Sequence, residues 1–179
     1  MILSDITIRE MCTSEEDKDK LISPFHYEQL QPSSYDLRLD NKFIYPFESD
    51  EVQEIPDGKR LIIKPNDFVL LTTQEIVNIP QNMVGVVDGK SSVGRVGGLV
   101  HVTAGYLDPN FTGKVTLEFK NLGNYPIALK KGSKIAQVRF HKLNKKCGNP
   151  YNVLDNHYQG QSTVVPSRYE KIDNIYMID

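Results

Sequence analysis

"GKVTLEFKN", residues Gly113–Asn121, decides the fold. Its residues alternate: Val115, Leu117 and Phe119 fall on one side of an extended chain, and Lys114, Thr116, Glu118 and Lys120 on the other. A period of two is the signature of a half-buried strand, not of a helix. The same texture recurs on both sides of it. "YDLRLDNKFIY" (35–45), "FVLLTT" (68–73), "EIVNI" (75–79), "VGVVD" (84–88), "LVHVTAGYL" (99–107) and "KIAQVRFHKL" (134–143) are short and rich in β-branched and aromatic residues. Gly, Pro, Asn and Asp punctuate them, as in "PNDF", "IPQN", "DPNFTG" and "KKGSK". Many short strands at this spacing predict a mainly β chain folded as a sandwich, jelly roll or barrel.

The N-terminus reads differently. Ser4 can cap a short helix over "DITIREMC", and Thr13 or Ser14 a second over "EEDKDKL". Beyond about Leu143 the strand pattern fades into a polar tail containing Tyr and Gln. No repeat or linker divides the chain, so residues 1–179 are expected to form one domain with a flexible tail from about residue 150.

The bulk numbers narrow the function. The chain has 179 residues, a formal net charge of -2, 39% apolar and 25% charged residues. That is a globular composition, and it argues against a nucleic-acid partner, which usually leaves a basic stripe. No apolar run approaches the ~18 residues of a membrane span, and "MILSDITIRE" carries no secretory pattern. Cys12 and Cys147 stand far apart, which points to a reducing cytosol rather than a disulfide framework. They also lack the paired spacing of a zinc deaminase or a structural zinc site, so no zinc is expected.

Four stretches could carry chemistry. Glu118 is either part of a solvent face of alternating Glu and Lys or a carboxylate set in a pocket for proton transfer. In "VTAGYLDPNFTG", Gly105 permits close approach of another group, Tyr106 could stack or pack, and Asp108 is either a turn residue before Pro109 or a site residue. "KKGSKIAQVRF" puts Gln137 and Arg139 on a face opposite Ala136 and Val138, which a polar outer surface explains. "DGKSSVGRVGG" (88–98) is either a glycine-rich turn or an anion nest, with Ser hydroxyls and Arg95 adding donors. It is not the phosphate loop G-x-x-x-x-G-K-[ST].

Together, "QPSSYDLRL", "GKSSVGR", "HVTAGYLDPNFTGKVTLEF", "GSKIAQVRF" and "YQGQSTVVPSR" resemble, in order from Gln31 to Arg168, the dCTP deaminase and trimeric dUTPase superfamily. The likeness is closer to the deaminases, because Glu118 matches their catalytic glutamate and the tail matches theirs. The resemblance implies a distorted jelly roll of the dUTPase-like β-clip type, a homotrimer with active sites between subunits, and Mg²⁺ carried by the triphosphate rather than held by protein ligands. It also implies dTTP as a feedback inhibitor. Gly105-Tyr106 stands where deaminases that release dUTP tend to have His-Arg, so the sequence is similar to the bifunctional class that forms dUMP and pyrophosphate.

Roles follow from the same resemblance. Glu118 is the general acid and base for deamination, with Ser91, Arg95 and the Ala104 carbonyl positioning the attacking water. Asp108 orients or activates the water that cleaves the triphosphate, with nucleotide binding near the deoxyribose as the competing reading. The motif Lys90, Ser91, Ser92, Val93, Gly94 and Arg95 holds phosphates. Thr116, Leu117 and Gln137 lie along the base and sugar. Tyr151, His157 and Gln161 belong to a tail that closes over the triphosphate. A deaminase releasing dUTP, and a dUTPase without deamination, are the alternatives.

Overall fold

The computed structural model describes residues 1–13, 15, 20–101, 103–154 and 158–168. Its strands are Ile22–Ser23 (β1), Leu30–Gln31 (β2), Ser34–Ile44 (β3), Gln53–Glu54 (β4), Leu61–Ile63 (β5) and Phe68–Asn78 (β6). They continue with Met83–Gly89 (β7), Gly98–Val100 (β8), Tyr106–Leu107 (β9), Thr112–Asn121 (β10), Ile127–Leu129 (β11) and Lys134–Lys142 (β12). One helix, Asp5–Cys12 (α1), follows Ser4 at its expected cap position, and a single turn, Ser91–Gly94 (α2), interrupts the strands. The second expected N-terminal helix falls largely outside the described residues.

Ten strands form one antiparallel curled sheet, with the path β8-β10-β6-β3-β12-β7-β9. β5 and β11 pair separately. The curl comes from β3, which changes partner along its length. Tyr35–Arg38 pair with β12, whereas Leu39, Phe43 and Ile44 pair with β6. A buried polar joint holds this corner. The fully buried Glu75 of β6 accepts hydrogen bonds from Arg38 N (2.8 Å) and Arg38 Nε (2.7 Å), and from Gln29 Nε2 (2.9 Å). A buried carboxylate satisfied this way fixes register, because any slip would strand its charge.

The strand that decides the fold behaves as its alternation predicts. Val115, Leu117 and Phe119 are buried while Lys114, Thr116, Glu118 and Lys120 are half-exposed. Burying each large apolar side chain contributes about 1.5–3 kcal/mol, which pins the opposite row to the other face of β10. Two expectations change. "FVLLTT" and "EIVNI" are one continuous strand, β6, because Thr73 bonds within the sheet instead of turning the chain: its hydroxyl donates to Glu75 O and accepts from Val115 N. "LVHVTAGYL" splits into β8 and β9, with His101 in the left-handed region at φ 52 between them.

Candidate active site

The site is built where β10 meets the gap between β8 and β9. The β8–β10 ladder runs Asn121↔Gly98, Lys120↔Leu99, Phe119↔Val100. One residue beyond the end of that ladder, His101 N donates to Glu118 O at 2.8 Å. On its other flank Glu118 pairs with Leu70 of β6. A bulge between Lys114 and Thr116 re-aims this strand beside the site, as bulges do near functional centres.

Glu118 lines a cavity of about 750 Å³. Ala104, Tyr106, Asp108, Thr116, Tyr151 and Gln161 line it too, so seven of the expected residues converge. Aromatic walls come from Phe47 and Phe68, stacked at 5.4 Å, and from Phe111 and Tyr151, edge to face at 5.8 Å. A mostly apolar cavity with a few convergent polar groups is the usual form of a small-molecule site.

The tail closes one side of it. Gly160 N donates to Thr112 O (2.8 Å) and Lys114 N to Gln161 O (2.8 Å), so the tail backbone runs along β10. Thr116 Oγ1 donates to Gln161 Oε1 at 2.8 Å and accepts from Val165 N at 3.2 Å. Val164 is buried against Ile44 and Leu70. Gly113 has φ 156, and a Cβ there would stand 2.8 Å from Gln161 N, so the contact needs glycine.

Asp108 sits in a turn and on the cavity wall at once. Its carbonyl accepts from Phe111 N (3.0 Å), and burial pushes its carboxyl above the ordinary value. Burial likewise raises the Tyr151 phenol, with a smaller push from the nearby Asp108. Both shifts follow from withdrawing charge from water. Gly105 is wedged against β7, where Val87 N donates to Gly105 O at 2.7 Å. It lines a second cavity of about 540 Å³, together with Asp88, Val100 and His101.

The remaining expected residues lie elsewhere. The α2 segment does not border either cavity of its own chain. Ser91, Ser92, Gly94 and Arg95 are exposed, and only Val93 is buried. Lys90 caps α2, and its Nζ pairs with the buried Asp36 at 2.6 Å. Gln137 of β12 pairs in register with Asp36 and Asp88 and accepts from Ser34 Oγ at 3.3 Å. The Leu117 side chain is in the core, leaving only its backbone to face a ligand. His157 lies outside the described residues.

Of the cavity residues that the sequence reading does not single out, His101 bears most directly on the chemistry. His101 is buried, and its Nδ1 contacts Glu118 Oε2. Both atoms are buried, and neither has a hydrogen-bonding partner among the described residues. Only the β8–β10 register reveals this pair, and register between strands seventeen residues apart is not written locally. Among the described residues, no three His, Cys, Asp or Glu side chains cluster tightly enough to cage a metal ion. Both cysteines are free, and burial raises the Cys12 thiol to about 12, which removes it from nucleophilic chemistry.

Residues 2–143 match the family described as dCTP deaminase-like. A "dCTP deaminase, dUMP-forming" of Dictyoglomus thermophilum is 42% identical over 168 residues, covering 84% of this chain and 85% of the relative. A "dCTP deaminase" of Halorubrum lacusprofundi is 38% identical over 187 residues, covering 94% and 91%. Among solved structures, the 2'-deoxycytidine 5'-triphosphate deaminase of Agrobacterium tumefaciens superposes with a TM-score of 0.64 at 21% identity. That match covers 79% of this chain and 47% of the other, so this chain spans about half of that protein. At this identity the likeness speaks to the fold.

Proposed function

The chain belongs to the dCTP deaminase-like family, and on that premise we propose that it converts dCTP and two waters to dUMP, pyrophosphate and ammonia. The observation that carries this reading is that Glu118 and Asp108 line one cavity with Ala104 and the tail residues Tyr151 and Gln161. Deamination needs one carboxylate at the base, and pyrophosphate release needs a polar group at the phosphates.

In the first reaction Glu118 takes a proton from the water that attacks the amine-bearing ring carbon. It passes that proton to the ring nitrogen. It then moves the second water proton to the leaving amine, which departs as ammonia. The Ala104 carbonyl accepts from the same water and fixes its approach. In the second reaction a water attacks the α-phosphorus, held and polarised by Asp108, and pyrophosphate departs. Magnesium, if delivered with the triphosphate, would supply charge neutralisation at the phosphate oxygens.

The phosphate grip comes from a second copy of the chain. Ser91, Ser92 and Arg95 are exposed and away from their own cavity. Val96, Leu99, Leu122 and Tyr125 beside them are exposed apolar residues, Tyr125 at 82%. A homotrimer of jelly-roll subunits would cover this face and bring the motif to a neighbour's cavity. Thr116 and Gln137 then serve nucleotide selection on different subunits.

Glu118→Gln tests the deamination step. General acid–base groups contribute roughly 10²–10⁴-fold, so ammonia release should fall by about that factor while dCTP still binds. Near-native turnover would reject the assignment. A second reading, deamination that stops at dUTP, is opposed by Gly105-Tyr106.

A further inference from the structure

The geometry points to His101 as the residue that positions the Glu118 carboxylate, an inference that rests on the deaminase reading. A glutamate that relays protons among water, ring nitrogen and amine must present one oxygen to all three in turn. A free glutamate side chain does not hold such an aim, because several rotatable bonds separate its carboxylate from the strand.

His101 supplies the restraint. Its Nδ1 lies in ion-pair contact with Glu118 Oε2, and neither atom has a hydrogen-bonding partner among the described residues, so each faces only the other. With one carboxylate oxygen engaged and buried, the other is left to the cavity, consistent with a side chain that is 31% exposed overall. The histidine itself cannot drift. Its ring is 5% exposed, and its backbone is locked to Glu118 O at 2.8 Å. Its φ of 52 turns the chain so that the ring stands in the wall between the two cavities. The two residues are joined through their backbones as well as facing each other through their side chains, so the restraint moves with the strand that carries Glu118. His101 touches no reacting atom in this arrangement; it acts through Glu118.

Two variants separate positioning from packing. Asparagine at this position offers an amide N–H close to where Nδ1 stands, whereas leucine offers bulk without a donor. Misplacing a catalytic group by about an ångström can cost about 10²-fold. His101→Leu should therefore lower kcat for ammonia release by about that factor with the KM for dCTP little changed, and His101→Asn should recover most of the loss. Native kcat in His101→Leu, or equal damage in both variants through KM alone, overturns the positioning role. Should His101→Leu not fold, the native protein still reports. Its His101 Nδ1–H proton resonance should lie downfield in NMR and move upfield in Glu118→Gln; a resonance indifferent to Glu118 overturns the role. Native protein that releases no ammonia from dCTP instead overturns the deaminase reading.

Discussion

A Cβ added to Gly105 would stand 2.4 Å from the carbonyl oxygen of Val87. No side chain fits there, and the obstacle is backbone rather than a flexible tip. The strand β9 can lie against β7 only because residue 105 is glycine, and this approach places Tyr106 and Asp108 on the cavity wall. The first residue of the dipeptide that the resemblance ties to dUMP formation thus has a mechanical reason to be small.

Gly105→Ala should disturb this approach. Overpacking costs about 1–3 kcal/mol, which should appear as a lower Tm. If Asp108 depends on β9 for its place, pyrophosphate release should suffer more than ammonia release, measured on the same sample. Equal loss of both would mean that the whole site has shifted.

Asp108→Asn should uncouple the two reactions. Ammonia release should continue while dUTP accumulates. The stability of the variant carries a second signature. Burial raises the Asp108 carboxyl above its ordinary value, so the folded state holds the proton more tightly than the unfolded one. Folding stability then falls as pH rises from the unfolded value through the folded one. Asparagine removes that loss, so the Tm of the variant relative to native should improve as pH is raised from below 4 to 7. A difference that stays flat across this range would show that the carboxylate is not desolvated.

Lys90 and Asp36 make a structural prediction about the phosphate motif. Asp36 is 2% exposed, and its ligands are Lys90 Nζ at 2.6 Å, Gln31 Nε2 at 3.3 Å and, more loosely, Lys134 Nζ at 3.7 Å. Removing one partner of a buried pair costs about 3–5 kcal/mol, and Lys134 should soften this. Lys90→Met should therefore destabilise the protein by at most about 3 kcal/mol. Asp36→Asn with Lys90→Met should recover part of it, because no buried charge is left unpaired. Were Lys90 chiefly a phosphate ligand, the single variant would keep its Tm and raise only the KM for dCTP.

The long strands were legible because each obeys a local rule, whereas β1, β2, β4, β5 and β11, two or three residues each, are too short to show a period. β10 alternates, β7 and β12 flank glycine turns, and the break after residue 143 coincides with loss of apolar periodicity. Glu118 had two readings until coordinates placed it, since alternation tells which face a residue occupies but not whether that face is wet. What local sequence could not supply was register. His101 sits within "LVHVTAG", which reads as strand, and its role appears only because residue 100 pairs with 119. That the α2 segment stands away from the cavity lined by Glu118 was likewise invisible, because motif order along the chain does not say which motifs meet in space.

Incubating the native protein with dCTP and Mg²⁺ while resolving ammonia, dUTP, dUMP and pyrophosphate over time tests the central claim. Equimolar ammonia, dUMP and pyrophosphate, with no free dUTP at any point, is the predicted result. Ammonia with accumulating dUTP would contradict it, leaving Glu118 as the deaminating residue but removing Asp108 and Gly105-Tyr106 from any hydrolytic role.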